Sequence, residues 1–172
     1  MVSGGNTPLL CFEALSSTPI SWSNIDVFLT DERDVPTDHP ASNERMLREK
    51  LMVNFANKCA FVPLSTRDTQ PHNRLACVLV GMGEDGHFAS LFPDSPQLAE
   101  GLSSSACAIH VSTPSSEYPR ISATLSTLTN SDLIVLLIFG EKKRRIVESP
   151  DGYPVAELLR QTRTNVEIIW AP

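Results

Sequence analysis

The chain has 172 residues, 41% of them hydrophobic and 20% charged, and a formal net charge of −6. Length and composition suit one soluble domain over residues 1–172 with an adequate core. The acidic balance excludes broad binding to nucleic acid or to an anionic membrane, because either needs a dominant basic surface, so an anionic ligand must be gripped by local groups.

Taken in chain order, the first feature is Ser3-Gly4-Gly5-Asn6-Thr7-Pro8. Amides of a Gly-Gly loop ahead of a helix N-terminus make an anion site, to which Ser3 and Thr7 add hydroxyls; an ordinary capped turn is the plainer alternative. Pro8 predicts a helix start after a possible Thr7 cap, with Leu9, Leu10, Phe12 and Leu15 on its apolar face. Ile25 to Thr30 predicts a strand, and the charge-dense stretch from Thr30 to Asn43 predicts a loop after it. Arg33 in that loop could bind a phosphate through two parallel hydrogen bonds. Asp31, Glu32, Asp34, Asp38 and His39 match no metal-binding spacing, and a solvated, turn-rich loop accounts for them. Ser42 can cap a helix carrying Met46, Leu47, Leu51 and Phe55.

Leu75 to Val80 predicts a strand that empties into Gly81-Met-Gly83-Glu-Asp85-Gly86-His87, followed by Phe88-Ala-Ser-Leu-Phe-Pro93. The glycines let backbone approach a ligand, while Asp85 and His87 supply an orienting acid and a proton acceptor. The Gly-x-Gly-x-x-Gly spacing matches a dinucleotide fingerprint, but the acid it needs should end a second strand, and Asp94 to Gly101 has no strand pattern. Further strands are expected at Cys107–Val111, Leu133–Phe139 and Val166–Trp170, with helices over 141–148 and 154–160. The alternation implies an α/β fold, a mostly parallel, doubly wound sheet with helices on both faces and ligand sites at the carboxyl ends of strands. Cys11, Cys59, Cys77 and Cys107 show no Cys-x-x-Cys spacing, and Cys77 reads as a buried strand thiol. A reducing, cytoplasmic setting is expected, since no leader pattern opens the chain and Leu133–Phe139 is too short to span a bilayer.

Together, Ser3-Gly-Gly-Asn-Thr-Pro8, Asp31-Glu-Arg33 with Val35-Pro36, His39 and Ser42-Asn43, and Gly81 through Pro93 closely resemble the 6-phosphogluconolactonase family. Pro119-Arg120-Ile-Ser and Val166-Glu-Ile-Ile-Trp-Ala-Pro172 extend the resemblance over essentially the whole chain. It implies a sugar-phosphate isomerase-like fold and hydrolysis of 6-phosphoglucono-δ-lactone to 6-phosphogluconate, in the oxidative pentose phosphate pathway, without cofactor or metal. By the same resemblance His87 is the general base and Asp85 an acid that fixes His87 or a sugar hydroxyl. Ser3, Gly4, Gly5, Asn6, Thr7, Asp31, Arg33, Gly83 and Arg120 are candidates for substrate and phosphate binding, although Arg120 could also be a surface arginine beside a proline turn. The implied partner is a phosphorylated sugar lactone, met by a monomer or homodimer. Lactone hydrolysis needs an oriented water, a base and donors for the oxyanion, and no Gly-x-Ser-x-Gly elbow suggests a serine route.

Phe88 stands where the family usually has threonine, and Asp34 where it often has an aromatic residue. The family also usually carries a helix and a strand before the Ser-Gly-Gly loop, so that segment is expected to be missing and the sheet to lose part of a ladder at Met1-Val2. Two other readings remain. A glucosamine-6-phosphate deaminase or isomerase shares the fold but needs a further catalytic acid where this chain has Ala89-Ser-Leu-Phe-Pro93. A non-catalytic sugar-phosphate-binding protein would need a protein partner, because the chain shows no DNA-binding module.

Overall fold

The computed structural model describes residues 1–64, 66 and 74–172. Short strands and helices alternate along most of the chain. Strand β1 (Asp26–Phe28) pairs in parallel with β3 (Ala60–Val62), and β4 (Val78–Gly81), β7 (Leu133–Phe139) and β8 (Asn165–Ala171) form a second parallel group in the order β4-β7-β8. Residues 1–3 join the two groups. Val2 N–H donates to the Phe28 carbonyl (2.8 Å) and Thr30 N–H to the Val2 carbonyl (2.9 Å), while Leu79 N–H donates to Met1 and Ser3 N–H to Leu79, both at 2.9 Å. The place where the sequence suggested a depleted ladder is therefore bridged, and a continuous parallel layer runs from β3 to β8.

Alternation along β4 and β7 sends side chains to two separate cores, as a sheet covered on both faces requires. Val78, Val80, Ile134, Leu136 and Ile138 join Leu128, Ile146, Val155 and Leu158 on one side. Leu79, Val135 and Leu137 meet Phe12, Trp22, Leu47 and Leu51 on the other. Helices α1 (Leu9–Ser16) and α2 (Asn43–Lys50) thus cover one face. The opposite face is covered by α4 (Leu125–Thr129), α5 (Glu141–Glu148) and α6 (Val155–Arg160), with α3 (Leu98–Ser103) beside them.

A second, antiparallel sheet was not anticipated. Strands β2 (Asp31–Arg33), β6 (Arg120–Ala123) and β5 (Ala108–Val111) pair in the order β2-β6-β5. The expected loop after β1 is thus a strand at its start, because β6 satisfies backbone groups that a charged sequence gave no reason to pair. Three smaller expectations also change. Leu10 is exposed and Thr7 does not cap α1, whose N-cap is Pro8. Helix α2 ends at Lys50, leaving Phe55 exposed in a following 3₁₀ turn, although Ser42 caps as expected by accepting Arg45 N–H. Cys77 is exposed just before β4 rather than buried in it. Phe88, the replacement for threonine, is fully buried among Met82 and Leu91. No helix among the described residues is long and apolar enough to cross a membrane.

Candidate active site

A cleft of about 370 Å³ opens where the loops following residues 1–3 and β4 meet the antiparallel sheet. Ser3, Gly4, Gly5, Thr7, Arg33, Gly83, His87 and Arg120 all line it. Asn6 is exposed outside that lining, and Asp85 stands behind His87 rather than on the wall. Asn43, Phe92, Ser115 and Lys143 also line the cleft, although nothing in the sequence singled them out as ligands.

The loop after β4 is built around His87. The Asp85 Oδ1 atom lies 2.6 Å from His87 Nδ1 and accepts the His87 backbone N–H at 3.3 Å. That pairing places a proton on Nδ1 and leaves Nε2 to accept one. Gly83 N–H donates to the His87 carbonyl (2.8 Å) and Gly86 N–H to the Gly83 carbonyl (3.2 Å), so these two amides are spent on the loop's shape. Gly83 has no room for a side chain, since a Cβ there would sit 2.3 Å from the His87 ring and 2.5 Å from Asp85 Oδ1. The imidazole leans on Phe92, ring centroids 4.2 Å apart, and Arg120 lies over the same Phe92 ring at 5.3 Å. One buried aromatic ring therefore spaces the imidazole from a guanidinium.

The antiparallel sheet supplies the positive wall. In the β2–β6 register Arg33 stands directly opposite Arg120, a like-charge pair that destabilises a sheet unless something between or beside it compensates. Arg120 is partly compensated: Nε donates to Ser116 Oγ (3.0 Å) and Nη1 approaches Asp31 Oδ2 at 3.5 Å. Burial lowers the pKa of Arg120 from its ordinary value, the Asp31 carboxylate opposes that effect, and the Arg33 charge adds to it. Asp31 is itself buried and accepts from Ser90 Oγ (2.6 Å) and Thr30 Oγ1 (3.2 Å). Its carboxylate is thereby engaged in orienting Arg120 and would repel an anion.

Arg33 donates from Nη1 to the Ala41 carbonyl at 2.5 Å. Its Nε is buried without a hydrogen-bond partner, and so is Ser3 Oγ. Two orphaned donors on one cleft are costly unless a ligand accepts from them. Lys143, from the first turn of α5, adds a third cation to the wall. The remaining acid of the motif, Glu32, serves α2: its carboxylate accepts from Asn43 N–H and Glu44 N–H, each at 2.7 Å, where a helix start offers unpaired amides. Among the described residues no cluster of three His, Cys, Asp or Glu side chains could hold a metal ion.

A family model described as glucosamine-6-phosphate isomerases/6-phosphogluconolactonase matches residues 1–167. The chain is 39% identical to a 6-phosphogluconolactonase of Caulobacter vibrioides, over 98% of its own length and 81% of the relative's. It is 36% identical to a 6-phosphogluconolactonase of Mesorhizobium japonicum, over 99% and 80% of the two chains. The crystal structure of a 6-phosphogluconolactonase from Shewanella baltica superposes with a TM-score of 0.91 at 34% identity, covering 98% of this chain and 81% of that one.

Proposed function

The chain belongs to the glucosamine-6-phosphate isomerase/6-phosphogluconolactonase family, and we propose that within it His87 activates the water that opens a phosphorylated lactone. The reaction is hydrolysis of 6-phosphogluconolactone, a step of the pentose phosphate pathway. The observation that carries the mechanism is the 2.6 Å contact between Asp85 and His87 Nδ1 on a cleft whose far wall holds Arg33 and Arg120. Asp85 fixes the tautomer and stabilises the imidazolium once a proton arrives. Water adds to the lactone carbonyl carbon while its proton passes to Nε2. The tetrahedral adduct then expels the ring oxygen, which takes the proton back as the carbon–oxygen bond breaks, leaving a carboxylic acid that ionises in water.

The phosphate belongs at the opposite end of the cleft, among Arg33, Arg120, Lys143, Ser3 Oγ and the Gly4-Gly5 loop. Arg33 Nε and Ser3 Oγ, orphaned in the protein, gain acceptors there, and the charge of the phosphate offsets the Arg33–Arg120 repulsion. Binding at that remote end positions the lactone carbon near the base. The amides of Gly83, Gly86 and His87 are already engaged within the loop and do not supply donors to the oxyanion. A deamination would need another acid–base group beside His87, and residues 88–93 supply only Phe, Ala, Ser, Leu, Phe and Pro.

Hydrolysis of freshly made 6-phosphogluconolactone, corrected for spontaneous opening, tests the assignment. His87→Ala is expected to lose about 100- to 10,000-fold in kcat with a small change in KM. Arg33→Ala is expected to raise KM by about 10- to 150-fold, the worth of hydrogen bonds to a charged group. A folded His87→Ala protein with full activity would exclude His87 as the base.

A further inference from the structure

The turn that follows β2 and the loop that precedes β6 position the cleft's two arginines, and these segments meet at the Asp34 N–H, which donates to the Pro119 carbonyl at 2.8 Å, and at an aromatic contact. His39 packs edge-on against Tyr118, ring centroids 5.3 Å apart at an interplanar angle of 69°. On the first segment, His39 Nδ1 accepts the Ala41 backbone N–H at 3.1 Å. The same turn is closed by His39 N–H to the Pro36 carbonyl (2.9 Å) and Ser42 N–H to the His39 carbonyl (3.0 Å). Ala41 then presents its carbonyl to Arg33 Nη1. Among the described residues no carboxylate pairs with the Arg33 guanidinium, so the Ala41 carbonyl sets where that charge sits. On the second segment, the Tyr118 carbonyl accepts from Ser116 Oγ at 3.0 Å, and Ser116 Oγ accepts from Arg120 Nε at 3.0 Å.

We propose that His39 is a positioning residue for phosphate binding: it folds the 39–41 turn that aims Arg33, beside the loop that aims Arg120. The proposal rests on the reading of the arginine pair as the phosphate site. A ring nitrogen accepting the amide two residues ahead does what an asparagine side chain does in an Asx-turn. Asparagine at 39 therefore keeps the turn, whereas alanine and glutamine lose it. Two cations must converge on one dianion, and a guanidinium displaced by about an ångström loses much of its hydrogen bonding, so the effect falls on binding of the phosphorylated end rather than on the chemical step.

The test compares wild type, His39→Ala, His39→Asn, His39→Gln and Arg33→Ala on 6-phosphogluconolactone and on the unphosphorylated glucono-δ-lactone, with thermal unfolding followed alongside. His39→Ala is expected to raise KM for the phosphorylated lactone about tenfold, keep kcat within about twofold, and leave the unphosphorylated lactone unaffected. His39→Asn should return KM to within about threefold of wild type. Should His39→Ala not fold, His39→Gln takes its place, because it keeps more of the bulk but cannot close the turn. A wild-type KM in the folded variant, equal impairment of His39→Asn, or equal loss on both lactones overturns the proposal. A raised KM in Arg33→Ala beside an unchanged one in His39→Ala overturns it alone, whereas an unchanged KM in Arg33→Ala overturns the phosphate reading as well.

Discussion

At the scale of single residues, the candidate site's geometry was most readable where it is most local. Asp85 and His87 are two positions apart, and a carboxylate two residues before an imidazole needs only a tight glycine-rich turn to meet it, which the 2.6 Å contact realises. Lys143 carried no such signal, because it sits in the run Glu141-Lys-Lys-Arg-Arg145, where any of four cations suits a solvated helix face and only the fold decides which one reaches the cleft. Phe92 and Ser90 were similarly silent: an apolar run explains the first, and the second meets Asp31 from 59 positions away. The tightest single position is Gly83. Alanine there drives a methyl group into both His87 and Asp85, so Gly83→Ala is expected to lose about 100-fold or more in kcat, on the scale expected for His87→Ala. Single-turnover kinetics with unfolding curves would check this, and a kcat within twofold of wild type would show that the loop can yield.

Among elements, the strands buried on both faces were legible and the antiparallel wing was not. Leu133–Phe139 is apolar throughout and is β7, the middle strand of the β4-β7-β8 group, whereas Asp31-Glu-Arg33 has neither the composition nor the alternation of a strand and becomes one only because β6 lies beside it. The charges that hid β2 are there for other partners: Glu32 for the start of α2, Asp31 for Ser90, Arg33 for the cleft. The loop between β5 and β6 is likewise tied down from outside itself. Asp94 accepts from Ser115 Oγ at 2.6 Å and from Thr113 Oγ1, and these two hydroxyls hold its pKa below the ordinary aspartate value. A depressed folded value means that the contribution to stability is complete above the unfolded-chain range and disappears only as pH falls through the lower, folded value. The anchor should therefore persist through about pH 4 and release below it. Hydrogen exchange over residues 112–119 is expected to show unchanged protection between neutral pH and that point. Asp94→Asn should weaken protection even at neutral pH and raise KM through Arg120; equal protection in the two proteins would mean the loop is held by other means.

On the scale of the molecule, among the described residues two parallel groups of strands share one layer only through residues 1–3. The parallel frame could be read from the chain because both of its faces are covered and its strands are correspondingly apolar, but three residues are too few for any periodicity to mark them as its middle. Val2→Pro removes the donor to Phe28 and clashes with strand geometry in the centre of the sheet, and is expected to cost about 3 kcal/mol or more, a large part of the 5–15 kcal/mol that holds a domain together. Chemical denaturation would measure it, and a loss below about 0.5 kcal/mol would show that the two groups do not depend on the bridge. The last consequence comes from the two arginines set face to face across β2 and β6. An anion bound between them, as proposed for the substrate phosphate, would relieve a repulsion built into the fold and so link ligand occupancy to folding. Inorganic phosphate at a hundred times its Kd should add about 2.7 kcal/mol to the stability of this protein and very little to that of Arg33→Ala. At that occupancy the unfolded population open to proteases falls about a hundredfold, so the supply of phosphorylated metabolite would govern how long each copy of the protein survives.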